Sequence, residues 1–188
     1  LQGPMQSWGT TSRFDERDTQ LEPSKSGVLG LICAALGRDR SEPVADLAAL
    51  RMGIRVDREG VPLRDYQTAT GVVIASSGQP DHGRTVVSPR YYLADAVFLV
   101  GLEGNAKLLA TLHPALRNPV WPLALGRKSF VPSPAVYLPN ALVEQPLQEA
   151  LADWPCLLTE QKLTAPRRGF VEHASEGSVR LDQPLGPL

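Results

Sequence analysis

Cysteine, histidine and aromatic side chains are scarce in this 188-residue chain, and each shortage removes a class of explanation. The two cysteines, Cys33 and Cys156, lie far apart in apolar stretches and signal neither a disulfide framework nor a zinc site. A reduced, cytoplasmic compartment is expected. The three histidines, His82, His113 and His173, are scattered, with no HExxH and no CxxC to hold a metal, so no metal and no cofactor are expected. There is no Gly-x-Ser-x-Gly elbow and no Gly-x4-Gly-Lys-Ser/Thr loop, which argues against a serine hydrolase and a nucleoside triphosphatase. No window approaches the ~18 uninterrupted apolar residues of a membrane helix, and no basic-then-apolar leader opens the sequence. Neither sign of charge prevails: 19 Lys and Arg stand against 20 Asp and Glu, a formal net charge of −1. A wholesale polycation is thereby excluded, a local basic face is not.

What is present is enough apolar material for a core, 43% of residues, with only 21% charged. Glycine (16) and proline (17) together make about 18% of the chain, against an ordinary ~12%, so loops and turns are plentiful. Leu1-Gln2-Gly3-Pro4 reads as the tail of a strand entering a turn, and Leu185-Gly186-Pro187-Leu188 reads as cut short; further residues are expected at both ends.

Apolar spacing predicts a helix over 26–36, capped by Ser24 or Ser26 and closed by Gly37, and a second over 43–50 with Ser41 as its cap. Residues 52–57 alternate like a half-buried strand. Residues 66–92 read as a long hairpin with its tip at 76–83, and 95–102 as a buried strand. Helical spacing returns over 105–116 and 144–152, with a short strand near 135–138 between them; beyond Trp154 only strand and loop can be read. With a strand before the first helix, the order is β-α-β-β-α-β, the split pattern of a ferredoxin-like α+β fold. The predicted organisation is a core of residues 1–65 and 95–188, interrupted by a hairpin insertion at 66–94.

Charge is unevenly spread. Six basic residues (Arg84, Arg90, Lys107, Arg117, Arg127 and Lys128) and two acidic ones fall between Arg84 and Phe130, whereas 141–160 holds four acidic residues and no basic one. The basic region suits a polyanion. Within it and at the N-terminus, four segments could carry chemistry. Pro23-Ser24-Lys25-Ser26-Gly27 places a cation, two hydroxyls and a glycine at a helix start, where unpaired amides attract phosphate; it also fits an ordinary capped helix. Trp8, in Gly3-Pro4-Met5-Gln6-Ser7-Trp8-Gly9, could stack on a base or close the core. Arg90, Tyr91 and Tyr92 join a cation to two π-faces where the hairpin rejoins the sheet, and Gly126, Arg127 and Lys128 form a basic turn. Asp15-Glu16-Arg17-Asp18 reads as a solvated loop. An enzymatic alternative would set Lys25, His82 and Tyr66, Tyr91 or Tyr92 to activate a 2′-hydroxyl without metal. A third alternative is a connector that touches only proteins, through the acidic segment and the hairpin.

Five stretches of the sequence, in order and spacing, resemble one family. Leu1 to Gly9, Pro23 to Leu31, Leu63 to Thr68, Arg90 to Ala96 and Leu123 to Ser129 are similar to the CasD subunits of the type I-E CRISPR surveillance complex, Cascade. The likeness covers roughly residues 1–140. It implies a repeat-associated (RAMP) protein with a ferredoxin-like, RRM-related core and a β-hairpin thumb. It further implies a non-catalytic subunit that holds the 5′ handle of CRISPR RNA and contacts the CasC backbone and the CasA large subunit, with target DNA nearby. By the same resemblance, Lys25, Ser26 and Gly27 grip handle phosphates, Arg90 touches the handle from the thumb base, and Gly126, Arg127 and Lys128 make a further backbone contact. Gly3, Gln6 and Trp8 belong to the same RNA-facing loop. Pro89 stands where relatives often carry a tryptophan, so stacking falls to Tyr91, Tyr92 or Trp8. A related subtype uses its CasD-like protein as the processing endoribonuclease.

Overall fold

The computed structural model describes residues 1–9, 17–74, 76–158, 167–180 and 182, and its first long helix starts where the sequence places a cap. The Ser24 hydroxyl accepts the Gly27 amide at the head of α1 (Lys25–Leu36), and Gly37, at φ 73°, closes it by donating to the Ala34 carbonyl. The next helix is much shorter than its pattern predicts: α2 (Ala45–Ala48) has no side-chain cap. Ser41, the expected cap, is engaged instead by Asp39, which accepts both its amide and its hydroxyl at 3.0 and 2.8 Å.

Two three-stranded antiparallel sheets follow. In one, β2 (Arg51–Arg58) lies between β5 (Val97–Glu103) and β6 (Gly169–Val171). In the other, the hairpin of β3 (Val61–Val73) and β4 (Pro80–Ala94) carries the two-residue β1 (Met5–Gln6) along β4. The hairpin begins five residues before its predicted start. Pro62 and Asp65 blur the strand pattern there, and both are tolerated because β3 is an edge strand whose outward groups need no partner. The paired strands reach further than expected at the other end too, leaving a tip of 74–79 closed by Ile74 and Gln79.

Helix α3 (Ala106–Arg117), capped by Asn105, matches its predicted span closely, and α4 (Leu147–Asp153) starts only after Pro146. No strand forms at 135–138, where prolines 132, 134 and 139 crowd a segment that has no partner strand. Along the chain the order is β1, α1, α2, β2, the β3–β4 hairpin, β5, α3, α4 and β6. The pairing departs from a simple split pattern: the chain bridges Gln2 to Val97 beside β5, then Pro4, which has no N–H to continue, turns it across to β4.

The larger core lies between α1 and the inner face of β2 and β5, with Leu29, Ile32, Ile54, Phe98 and Leu112 at its centre and Trp8, Leu93, Leu125 and Phe130 extending it towards the hairpin base. On the opposite face α4 lays Leu147 and Leu151 against the sheet. This approach needs the facing pair Gly53 and Gly101, since a methyl on either would come within 2.6 Å of those leucines. A buried ion pair pins the chain after α4. Arg55 Nε donates to Asp57 Oδ1 at 2.7 Å, its Nη1 and Nη2 donate to the Leu151, Trp154 and Pro155 carbonyls, and Asp57 Oδ2 accepts the Leu157 amide at 2.9 Å. Removing one member would strand a buried charge, at a cost of about 3–5 kcal/mol.

Candidate functional site

Where the N-terminal loop, the head of α1, the base of the hairpin and the 125–130 turn converge, they leave a cleft of about 300 Å³. Among the described residues it is lined by Ser7, Trp8, Gly9, Arg17, Asp18, Ser24, Ser26, Gly27, Gly126 and Arg127.

The walls are built by backbone pairing. The Ser7 amide donates to the Leu125 carbonyl at 3.0 Å, and the Ser7 hydroxyl lies 3.3 Å from the Tyr91 carbonyl and 3.4 Å from that of Asp18. Trp8 is locked from both sides: its amide donates to Thr19 Oγ1 at 2.9 Å and its carbonyl accepts the Gln20 amide at 2.9 Å. Its indole N–H donates to Gln6 Oε1 at 3.2 Å, while Gln6 Nε2 donates to the Ala96 carbonyl at 2.7 Å. Gly27 rests on the indole so closely that a methyl there would stand 2.9 Å from Trp8 Cε3.

Three guanidinium groups gather at one side. Arg17 pairs with β4 through its backbone, donating its amide to Pro89 and accepting that of Tyr91. Arg127 Nη2 donates to the Tyr91 carbonyl at 2.8 Å and to the Arg17 carbonyl at 3.2 Å. Burial, and then repulsion from Arg90 and Arg17, push the Arg127 guanidinium below its ordinary pKa, only partly countered by Asp65 and Asp18. Arg90 Nε is fully buried and has no hydrogen-bond partner among the described residues. Positive charge is thus concentrated here around a buried donor that has no partner among the described residues, an arrangement an anion would suit.

Trp8, Ser26, Gly27, Gly126 and Arg127 of the predicted site are thus brought together around one cleft, with Arg90 and Tyr91 beside it. Others stand elsewhere. Gln6 is completely buried and Trp8 is 1% exposed, so both serve as floor, and Trp8 has no ring face to offer a base. Gly3 is buried behind the 131–132 backbone, and Tyr92 packs its ring 5.7 Å from that of Phe130. Lys128 is exposed on the turn outside the cleft. Lys25 turns away to Glu172, with both carboxylate oxygens within 2.9 Å of its Nζ. Lys25, His82 and Tyr66 do not form a cluster: His82 lies eight residues up β4 from Arg90, ~26 Å at ~3.3 Å per residue, and Tyr66 is opposite Pro89 and exposed.

Arg17, Asp18 and Ser7 are site residues that the sequence did not single out. In sequence, Arg17 is one of four mixed charges. Only its pairing with Arg90, 73 positions away, gives it a place, and no local pattern signals that. Among the described residues there is no cluster of three or more His, Cys, Asp or Glu able to hold a metal, and no helix long and apolar enough to cross a membrane.

Comparison with known proteins agrees on a single family. Residues 1–185 match the family described as CRISPR-associated protein (Cas_Cas5). Over 169 residues the chain is 32% identical to the CRISPR system Cascade subunit CasD of Escherichia coli strain K12, covering 82% of this chain and 74% of that one. Among solved structures, a crystal structure of a Cas protein superposes with a TM-score of 0.67 at 58% identity, covering 84% of this chain and 70% of that one. A chain of a CRISPR RNA-guided surveillance complex superposes with a TM-score of 0.64 at 44% identity, over 70% of this chain and 57% of the other.

Proposed function

This chain belongs to the Cas5 family of CRISPR-associated proteins, and on that premise we propose that it is a CasD-type subunit that grips the 5′ handle of CRISPR RNA without cleaving it. The observation that carries this reading is the buried Arg90 Nε, without a partner among the described residues, beside Arg127 and Arg17. A backbone phosphate supplies acceptor oxygens and a negative charge, which complement three neighbouring guanidinium groups and a buried donor without a partner among the described residues. The Ser24 hydroxyl also lines the cleft at the head of α1, beside the Ser26 hydroxyl, which donates to Asp182.

In this reading β2, β5 and the helices form the ferredoxin-like RAMP core, and the β3–β4 hairpin is its thumb, rising from the side of the cleft where Arg90 sits. The thumb and the acidic surface around Glu144, Glu149 and Asp153 are the natural contacts for CasC and CasA in an assembled complex. Recognition runs through phosphate and sugar, since the residues lining the cleft offer charge and hydroxyls and no exposed aromatic face.

Fluorescence anisotropy with labelled RNA carrying a repeat-derived 5′ tag, against a shuffled control and across a salt series, tests the proposal. Preferential binding that weakens steeply with salt is expected, and the RNA should remain intact on a denaturing gel. Arg90→Glu and Arg127→Glu should each weaken binding by at least ~1–2 kcal/mol, because each reverses a charge at a phosphate. Unchanged affinity in both variants, with folding intact, removes the cleft as the RNA site; cleavage of the RNA removes the non-catalytic assignment.

A further inference from the structure

Two carboxylates from the far end of the chain sit on the two residues that open α1. The Ser26 amide donates to Asp182 Oδ2 at 2.8 Å and the Ser26 hydroxyl donates to Asp182 Oδ1. One residue earlier, Lys25 Nζ holds both Glu172 oxygens, at 2.8 and 2.9 Å. The first amides of a helix lack intrahelical partners and carry partial positive charge, so the Asp182 carboxylate occupies the seat an anion would take there. Ser26 also lines the cleft that holds Arg17 and Arg127, next to the unpartnered Arg90 Nε. The internal anion therefore stands at the rim of a site that gathers positive charge from Arg17, Arg90 and Arg127.

The segment carrying these carboxylates is firmly tied at its start and thinly tied beyond. β6 pairs with β2, the Glu172 amide donates to the Met52 carbonyl at 2.9 Å, and Arg51 Nε donates to the Glu172 carbonyl at 2.8 Å. Past Glu172 every described residue is exposed, Val179 at 95%. Arg180 is held over the Phe170 ring, 4.1 Å from its centroid, and donates to Glu22 at 2.8 Å, an attachment made of one cation–π contact and one ion pair. The described residues past Glu172 bury little apolar surface, and such stretches open at small cost.

We propose that the segment bearing Glu172 and Asp182 acts as an internal strap whose carboxylates imitate backbone phosphates at the head of α1, Asp182 at the cleft rim and Glu172 beside it, and that it gives way to RNA. This rests on the reading of the cleft as a phosphate site. The exchange is one anion for another: a phosphate takes the Ser26 amide and hydroxyl from Asp182, and Lys25, released from Glu172, turns to the strand. Polyanions that cannot reach both positions must compete with the strap, so it raises selectivity by lowering affinity for short or poorly fitting RNA.

The test uses the full chain and a labelled single-stranded RNA bearing the repeat-derived 5′ tag. Asp182→Asn and Glu172→Gln remove one competing charge each and preserve shape. Each should tighten binding roughly threefold, the size of one exposed ion pair, and the pair of substitutions should steepen the salt dependence because another phosphate is engaged. In parallel, trypsin cleavage after Arg180 should accelerate when the RNA is added. Unchanged or weaker binding in the doubly substituted chain, or cleavage that is unchanged or slowed, overturns the strap. If Arg127→Glu still abolishes binding in that case, the clamp stands without it; if Arg127→Glu is also silent, the cleft itself is not the RNA site.

Discussion

Gly126 presses against the carbonyl of Ser7 so closely that a methyl group at Gly126 would stand 1.7 Å from the Ser7 oxygen. Its φ of +92° adds a second demand that only glycine meets cheaply. This contact fixes the 125–130 turn to the N-terminal loop and sets the separation of the two cleft walls. Gly126→Ala must break one or the other. The expected result is a stability loss of at least ~1–3 kcal/mol from backbone strain alone, read by urea denaturation, together with loss of RNA affinity. Intact stability and intact binding would mean that the turn can move without consequence.

Trp8 tests whether the cleft floor holds up the fold or contacts the ligand. It is 1% exposed, its ring carries Gly27, and its N–H is satisfied by Gln6. Trp8→Phe keeps an apolar ring but leaves the Gln6 oxygen without its donor. Calorimetry or urea melts should show a clear loss of stability, while the folded fraction binds RNA with affinity within about twofold of the parent. Trp8→Ala should approach the ~3–5 kcal/mol of a large core truncation. The opposite pattern, stable protein with weakened binding, would return Trp8 to a stacking role.

How far the sequence reaches is visible in these residues. Local physics makes the head of α1, its Ser24 cap and its Gly37 stop readable, because capping depends on neighbours within four positions. It also exposes the hairpin, β2 and β5, whose patterns need no partner to be seen. What stays hidden depends on distant pairing. Arg17 gains its meaning from β4, Ser41 loses its cap to Asp39, and Lys25 and Ser26 are claimed by Glu172 and Asp182 about 150 residues later. Trp8 and Gln6 carry polar or aromatic groups suited to a ligand, and only the fold shows that those groups are spent on each other and on the Ala96 carbonyl.

Acid should destabilise the fold through two carboxylates. Hydrogen bonding from Arg38 holds Asp46 down at about 2, and the Leu147 amide, followed by Arg51, holds Glu103 below its ordinary value. A carboxylate depressed in the folded state stabilises it above the unfolded pKa of about 4, and that contribution disappears as pH falls through the folded value. Melting temperature should therefore drop between about pH 4 and pH 2. In Asp46→Asn, which lacks one of the two groups, the parent should lose more stability over this interval than the variant. Identical pH profiles would show that the Arg38–Asp46 contact is screened away in solution.

The hairpin can be shortened at a point the register supplies. Thr70 and Thr85 are direct partners, and the strands lose register just beyond Thr70. Among the described residues, none from 71 to 84 belongs to either apolar core. Joining Thr70 to Thr85 through Asn-Gly, a two-residue turn suited to tight hairpins, keeps the paired base with Arg90 and Tyr91 in place. Stability should change by less than ~0.5 kcal/mol, as for a surface substitution away from the core, and binding of a short tagged RNA should persist because the cleft is untouched. What should fail is RNA-dependent assembly with a CasC-type backbone subunit, followed by size-exclusion chromatography of the mixed components. Since the shortened chain retains the arginine cluster, normal assembly would locate the subunit contact on the core, and loss of short-RNA binding would place part of the grip on the hairpin tip.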